Sequence, residues 1–347
     1  MKERTAKFEI LAIDLAKNVF QLAGEDGRGH VVFEDRIRSR EAFSAYLRDL
    51  DPSVTVLMES GPGAQAWARV LQERGVGVRI LPAQRVAEHR SGAKNDRNDC
   101  RAILRAGRDT SISAVVVKSA QALAMQALHR VRSGYLRRRT TITNQIRGLM
   151  LEHGIAAPRG AAVLAIHLPR ILEDATQPLP DLLRELIDEL WAEVAHLSTR
   201  IDRLSARLDA AAREDGCARR LMTIPGIGPI TSTALIAKEA RPERFPNARQ
   251  FAAYFGLVPD QHSSGQHVRL GRMSKRGDGY IRSLVIQGAH AVLQHMSHDR
   301  QDHDSRRLQR WKERHGIKGA AVRLANRNLR IAWALMRHEN DYRRNPA

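Results

Sequence analysis

Cysteine is nearly missing from this chain: two residues, Cys100 and Cys217, in 347. That count excludes a disulfide framework and a cysteine-built zinc site, and it fits a reducing cytoplasm. Aromatic residues are scarce, at 5%, which argues against recognition of single strands by stacking bases on aromatic platforms. No apolar run approaches the roughly 18 to 20 residues of a membrane-spanning helix. The opening MKERTAKFEILAI enters a strand pattern directly, with no signal peptide. Acids are outnumbered, 38 against 57 lysines and arginines, for a net charge of +19. With no lipid-insertion signal, that excess points to nucleic acid as the partner ahead of anionic membrane. Walker A, dinucleotide-binding glycine and HExxH motifs are all missing.

What is present suffices for a core. Hydrophobic residues make up 43% of the chain, and its length suits two or three domains. FEILAIDL (8–15), VFQLAGED (19–26) and HVVFEDRIRS (30–39) read as three sequential strands with glycines at the turns. REAFSAYLRDL (40–50) has helical spacing, SVTVLMES (53–60) is a strand, GAQAWARVLQERG (63–75) a helix and VGVRILP (76–82) a fifth strand. KNDRNDCRAILRAGR (94–108) turns helical after Asn95. This order is that of an α/β, RNase H-like fold. Asp14 and Glu59 end strands that such a fold sets side by side, and Asp96 and Asp99 share one helix face. Four carboxylates in one pocket suit a hard divalent ion. Two Mg²⁺ ions about 3.5–4 Å apart stabilise the attacking and leaving oxygens of phosphoryl transfer. Singly, each acid is equally well a strand end, an ion-pair partner or a helix cap.

Residues 121–154 form a long basic helix. Arg130, Arg132, Arg137, Arg138, Arg139 and Arg147 are opposed only by Glu152, which points to a nucleic-acid surface rather than a mixed-sign solvated face. A proline-containing region around Pro158 to Pro180 follows. Then Ile187, Leu190, Val194, Leu197, Ile201, Leu204 and Leu208 are spaced alternately three and four, a coiled-coil seam of about three heptads. Such a seam can pair within the chain, but its length favours self-association as a dimer or larger oligomer through 185–210. LMTIPGIGPITSTALI (221–236) is a helix-hairpin-helix-like turn; Gly226 and Gly228 in it would aim backbone N–H groups at a phosphate. The alternative is an ordinary tight turn between core helices. His290, His295, His298 and His303 read as solvated histidines near helix ends rather than a closed metal site. The expected domains are 1–155, 156–215 and a mainly helical 216–347.

The stretch Gly256 to Leu284, GLVPDQHSSGQHVRLGRMSKRGDGYIRSL, is punctuated by glycines and reads mostly as turns. Ser263 and Ser264 precede Gly265, and Arg269, Arg272, Lys275, Arg276 and Arg282 follow with only Asp278 opposing them. Taken alone it is a solvated basic loop on a nucleic-acid backbone. A small hydroxyl in such a turn would also serve as a nucleophile presented to a phosphate.

Together, IDLAKNVFQ at Asp14, MES at Glu59, KNDRND at Asp96 and Asp99, IPGIGPITSTALIA, and FAAYFGLVPDQHSSGQHVRLGRMSKRGDGYIRSLVIQGA resemble the DEDD transposases of IS110/IS1111 insertion sequences, relatives of the Piv-type DNA invertases. The resemblance spans nearly the whole chain and is specific in combination. It implies a RuvC-like first domain holding Mg²⁺, or Mn²⁺ in its place, with Asp14, Glu59, Asp96 and Asp99. It implies a serine in the last domain that joins covalently to DNA. The Ser-Gly step places that serine at Ser264, with Ser263 the alternative. It further implies a dimer and then a tetramer on donor and target double-stranded DNA, a structured guide RNA from the element, and a bacterial cytoplasmic protein on the nucleoid when acting. Two other functions compete: a RuvC-like structure-selective endonuclease with no covalent intermediate, and an architectural nucleic-acid-binding protein with a decayed acid cluster.

Overall fold

Runs of aliphatic and β-branched residues, broken by glycines, build a sheet in the first part of the chain. The computed structural model describes residues 8–91, 96–238, 241–262, 269–296 and 302–343. The chain divides into two compact units, Met1–Ala120 and Gln121–Ala347. In the first, β1 (Ile10–Leu15), β2 (Phe20–Glu25) and β3 (Val31–Ile37) make an antiparallel meander. Then follow α1 (Arg40–Arg48), β4 (Thr55–Glu59), α2 (Ala64–Glu73), β5 (Gly77–Leu81), α3 (Ala83–Glu88) and α4 (Asp96–Arg108). The sheet order is β3-β2-β1-β4-β5, with β4 parallel to β1 and β5.

Strand alternation sends neighbouring side chains to opposite faces. Leu11 and Ile13 of β1 and Val56 and Met58 of β4 pack with Phe43 and Leu47 of α1 and Ala68 and Leu71 of α2. Ala12 of β1 and Leu57 of β4 pack with Cys100 and Ile103 of α4. Both faces are covered, which is why β1 and β4 read as unbroken apolar runs. The strands and main helices lie where the sequence pattern places them; α3 carries no signal of its own.

The second unit is mainly helical. Its elements are α5 (Ala120–Glu152), α6 (Ala161–Glu173), α7 (Asp181–Glu214), α8 (Gly216–Met222), α9 (Pro229–Ala237), α10 (Ala248–Tyr254), β6 (Pro259–Gln261), β7 (Leu270–Met273), α11 (Gly279–Gln294) and α12 (His303–His338). α12 kinks at Gly316, whose φ of 65° is not helical. The break between the two compact units falls at Ala120. The reason is packing: Ile142, Ile146 and Met150 of α5 share a core with Leu164 and Leu168 of α6 and Ile187, Val194 and Leu197 of α7. The proline-containing region expected as a separator holds α6, a helix that keeps Pro169 inside it. Burial of Leu164 and Leu168 outweighs the cost of that proline.

The heptad seam is real, but its partner is in the same chain. Ile187, Val194, Leu197, Ile201, Leu204 and Leu208 are all buried within the single chain. Arg132 Nε donates to Ser205 Oγ at 2.7 Å and Arg139 Nη1 to Ser198 Oγ at 3.4 Å, so α5 runs antiparallel to α7. The expectation that 185–210 self-associates through this seam is therefore corrected, because the apolar stripe is already covered. Among the described residues no helix is long and apolar enough to cross a membrane.

Leu204→Ala should destabilise the chain by about 2–4 kcal/mol, as for other buried leucines, in denaturant unfolding. The mass by light scattering should not change; a lower mass at unchanged stability would restore the intermolecular seam.

Candidate functional site

The acids in the first unit are brought together by strand register. Ile13 of β1 lies beside Met58 of the parallel β4. The next position along each strand is Asp14 and Glu59, on strands about 4.8 Å apart. By alternation Asp14 shares the face of Ala12, and Glu59 that of Leu57, the face against which α4 packs. Asp99 sits on α4 one residue before the buried Cys100, whose Sγ lies 3.1 Å from the carbonyl oxygen of Gln21. Arg90, just after α3, ties two acids together. Its Nη2 is 3.2 Å from Glu59 Oε2 and its Nε 3.0 Å from Asp99 Oδ1. No motif marks Arg90 in the sequence. Asp96 opens α4 one turn before Asp99, and its side chain lies outside the described residues. Among the described residues no group of three or more His, Cys, Asp or Glu side chains gathers closely enough to hold a metal ion.

Among the described residues of the glycine-punctuated stretch, Pro259–Gln261 and Leu270–Met273 are strands where turns were expected. β6 and β7 pair antiparallel, and the outermost described bond runs from His262 N–H to Arg269 C=O at 2.8 Å. Ser263 and Ser264 fall between those arms in sequence and lie outside the described residues. At the base, Gly256 (φ 72°) and Gly277 (φ 91°) let two backbone segments cross. A Cβ on Gly256 would meet the Arg276 carbonyl oxygen at 2.0 Å, and one on Gly277 the Tyr254 carbonyl oxygen at 2.0 Å. Arg282 donates to the Phe255 carbonyl at 3.1 Å, so it is structural. Arg269, Arg272, Lys275 and Arg276 are exposed; Arg276 Nε is 3.9 Å from Asp260.

The PGIG turn lies between α8 and α9, and its Gly226 packs against α11. Gly226 has φ 90°, and a Cβ on it would meet the Gly288 carbonyl oxygen at 2.8 Å. That glycine serves close helix packing. Gly228 has open space around it and precedes α9.

The arginines of α5 divide by face. Arg132 and Arg139 reach serines of α7, and Arg147 Nε donates to the Pro158 carbonyl at 2.9 Å. Arg130, Arg137 and Arg138 are exposed. Arg130 and Arg137 border an open cleft of about 400 Å³ that is also lined by Lys238 after α9 and Asp278 and Tyr280 of the α11 start. Asp278 caps α11, accepting from the N–H groups of Tyr280 and Ile281, and pairs with Lys238 Nζ at 2.9 Å. Burial alone would raise its pKa, but Lys238 and the backbone donors hold it below the usual value. His129, buried at the same place, bridges Tyr280 Oη at 3.0 Å and Thr233 Oγ1 at 3.1 Å. Nothing in the sequence singled out His129, Lys238 or Tyr280, because their meeting depends on how α5, α9 and α11 pack.

Two family descriptions match this chain. The DEDD family of IS110-type transposases, described as "Transposase", covers residues 11–155. "Transposase IS116/IS110/IS902 family" covers residues 218–304. Among similar curated proteins, a "Probable family 20 transposase" of Pseudomonas aeruginosa is 42% identical over 96% of this chain and 98% of its own length. The "Transposase for insertion sequence element IS1111A" of Coxiella burnetii is 35% identical over 96% of this chain and 91% of its own. The "Transposase for insertion sequence element IS1328" of Yersinia enterocolitica is 35% identical over 94% and 96%.

Burial, with the charge of Arg132 adding, lowers the His129 pKa from the ordinary 6.5 to about 4. Between those values the unfolded chain binds a proton that the folded chain refuses. The stabilisation is complete above about pH 6.5 and is lost as pH falls towards 4. His129→Gln lacks it, so the gap in Tm between wild type and variant should narrow as the pH is lowered through this window. A gap that stays constant would count against the buried neutral histidine.

Proposed function

The chain belongs to the IS116/IS110/IS902 family of insertion-sequence transposases, and from that premise we propose that it cuts and rejoins DNA through a covalent serine–DNA intermediate at Ser264. The observation that carries this reading is the placing of Asp14, Glu59 and Asp99 on the one sheet face covered by α4, with Arg90 held between Glu59 and Asp99. A sheet that crowds carboxylates at the ends of two parallel strands, and keeps a positive charge among them, is built for charge rather than for packing. The RuvC-like identity of the first unit rests on its strand order and on the family.

In kind, carboxylate oxygens suit a hard divalent cation, while among the described residues no three of these side chains stand close enough together to hold one. Two of the acids already share one positive charge, that of Arg90. Asp14, Glu59 and Asp99, with Asp96 one turn away, would hold Mg²⁺ or Mn²⁺. Such an ion supplies electrostatic stabilisation of charge that builds on phosphoryl oxygens. The chain's own residues do the rest. The Ser264 hydroxyl forms an O–P bond as the phosphodiester bond to a sugar oxygen breaks. The serine proton passes to a base, and the released sugar oxygen takes one up. The count of P–O bonds is conserved, so a sugar hydroxyl of another strand reverses the step and rejoins DNA without ATP, in keeping with a chain that has no Walker A loop. The exposed Arg269, Arg272, Lys275 and Arg276 around β7 hold the phosphate in line, and Arg130, Arg137 and Arg138 of α5 track the backbone. Gly228 adds a backbone donor near the same strand. Arg132, Arg139 and Arg147 contribute by fixing α5. Ser263 stands as the alternative nucleophile. A structured RNA of the element as guide, a dimer growing to a tetramer on donor and target DNA, and action in the bacterial cytoplasm on the nucleoid complete the proposal, resting on the family likeness.

The test is a denaturing gel of protein incubated with end-labelled element DNA and Mg²⁺. Wild type should give a protease-sensitive protein–DNA adduct. Ser264→Ala should remove it and Ser263→Ala should keep it. Asp99→Asn should cut activity at least about a hundredfold while DNA binding in a mobility-shift assay stays within about threefold. Cleavage without an adduct would establish the nuclease reading instead.

A further inference from the structure

We propose that the cleft bounded by α5, the end of α9 and the start of α11 is a phosphodiester subsite that seats one nucleotide of a strand, with its flanking phosphates, near the base of the β6–β7 pair. The inference rests on the DNA-joining reading above and deepens it.

The cations of the cleft are set apart from their neighbours on the same helix. Arg132, Arg139 and Arg147 are engaged within the chain. Arg130 and Arg137 are exposed, and neither has a hydrogen-bond or ion-pair partner among the described residues. They lie seven residues apart, two helical turns on one face and about 10 Å along the axis. The Ser133 hydroxyl sits between them on that face and also lines the cleft. Guanidinium groups left unpaired at a cavity rim, with planar forks of donors, suit phosphate oxygens.

The rest of the lining contributes shape and polarity with little net charge. Lys238 is neutralised by Asp278. His129 is held neutral by burial and ties its ring nitrogens to Tyr280 and Thr233. The floor is therefore fixed: Arg132 touches Tyr280 from within the chain, and the exposed positive charge of the lining lies on two rim arginines. A volume of about 400 Å³ lies near the lower end of ligand-pocket sizes, enough for a nucleotide and too small for a duplex to enter.

Location gives the subsite its role. Asp278 lines the cleft and directly follows Gly277, which crosses the Tyr254 backbone near the base of the β6–β7 pair. A strand whose phosphate is held by Lys275 and Arg276 reaches the cleft with its next nucleotides. The subsite thus fixes the flank of the scissile phosphate.

The test uses the full-length protein and three fluorescent probes of equal length: duplex DNA, single-stranded DNA and RNA. Binding is followed by anisotropy across a salt series. Each phosphate contact contributes about 0.9 to the slope of log affinity against log salt on duplex DNA, and about 0.7 on a single strand. Arg130→Gln/Arg137→Gln should lower the slope by about 1.4 on single-stranded DNA or on RNA and leave the duplex slope unchanged; the probe that loses it identifies the strand, and a loss on duplex DNA alone would overturn the subsite. Arg203→Gln/Arg207→Gln removes the same charge from the exposed face of α7 and should change the slope by less than half as much. Equal losses in both double variants, or no loss in the first, would overturn the subsite. The readout needs no cleavage. A wild type that forms no adduct yet shows the selective slope loss would sink the serine chemistry alone.

Discussion

Carboxylates repel one another, and the first unit depends on how that repulsion is managed. Parallel pairing of β1 and β4 leaves Asp14 and Glu59 no choice of face: once Ala12 and Leu57 are buried against α4, the next residues but one point the same way. α4 then brings Asp99 to that face. All three acids are half-buried, so part of this charge loses water and calls for a counter-charge. Arg90 supplies it by reaching Glu59 and Asp99 from the turn after α3. A one-residue slip of β1 would turn Asp14 into the opposite core, beside Met58 and Phe43 in place of Ile13, so register and charge enforce each other.

The second unit handles the opposite sign by division. A helix with many arginines and almost no acids cannot be buried on all sides. α5 solves this by spending Arg132, Arg139 and Arg147 on hydroxyl and carbonyl acceptors, where a guanidinium fork satisfies neutral oxygens and its stem covers apolar surface. The arginines of the other face stay exposed. The same helix is thereby both a structural member, antiparallel to α7, and a cationic surface. A uniform basic helix in the sequence becomes two populations in the fold, and only the packing partner decides which arginine belongs to which.

This explains what was legible beforehand. Strand and helix order in the first unit could be read because each element carries its own period and is bounded by glycine or an acid. Asp14, Glu59 and Asp99 could be placed on one side because strand parity is a local rule. Arg90 could not, since its position depends on a turn with no motif. The seam of α7 was legible in its period, yet period says nothing about whether the partner is another copy or a preceding helix. α6 was hidden by Pro169, whose local cost is outweighed by contacts distant in sequence. The cleft residues His129 of α5, Lys238 just after α9 and Tyr280 of α11 share no spacing at all. Ser263, Ser264 and the Asp96 side chain, which carry the weight of the proposed chemistry, lie outside the described residues and stand on the motif and the family.

DNA phosphates are repelled by Asp14, Glu59 and Asp99 and attracted by the net charge of +19 that the chain carries as a whole. Long-range attraction brings the partner close, but at a few ångströms the local carboxylates dominate, since unscreened charges at that range interact more strongly than the diffuse field. Phosphate can approach such a face only if positive charge stands between the two sets of oxygens. Arg90 already occupies that place for Glu59 and Asp99, and with its side chain 37% exposed it is not locked into the core. The acid face is thus stable without a phosphate because of a cation that the fold itself provides. It can receive a phosphate only while that cation, or a more highly charged one, remains among the carboxylates.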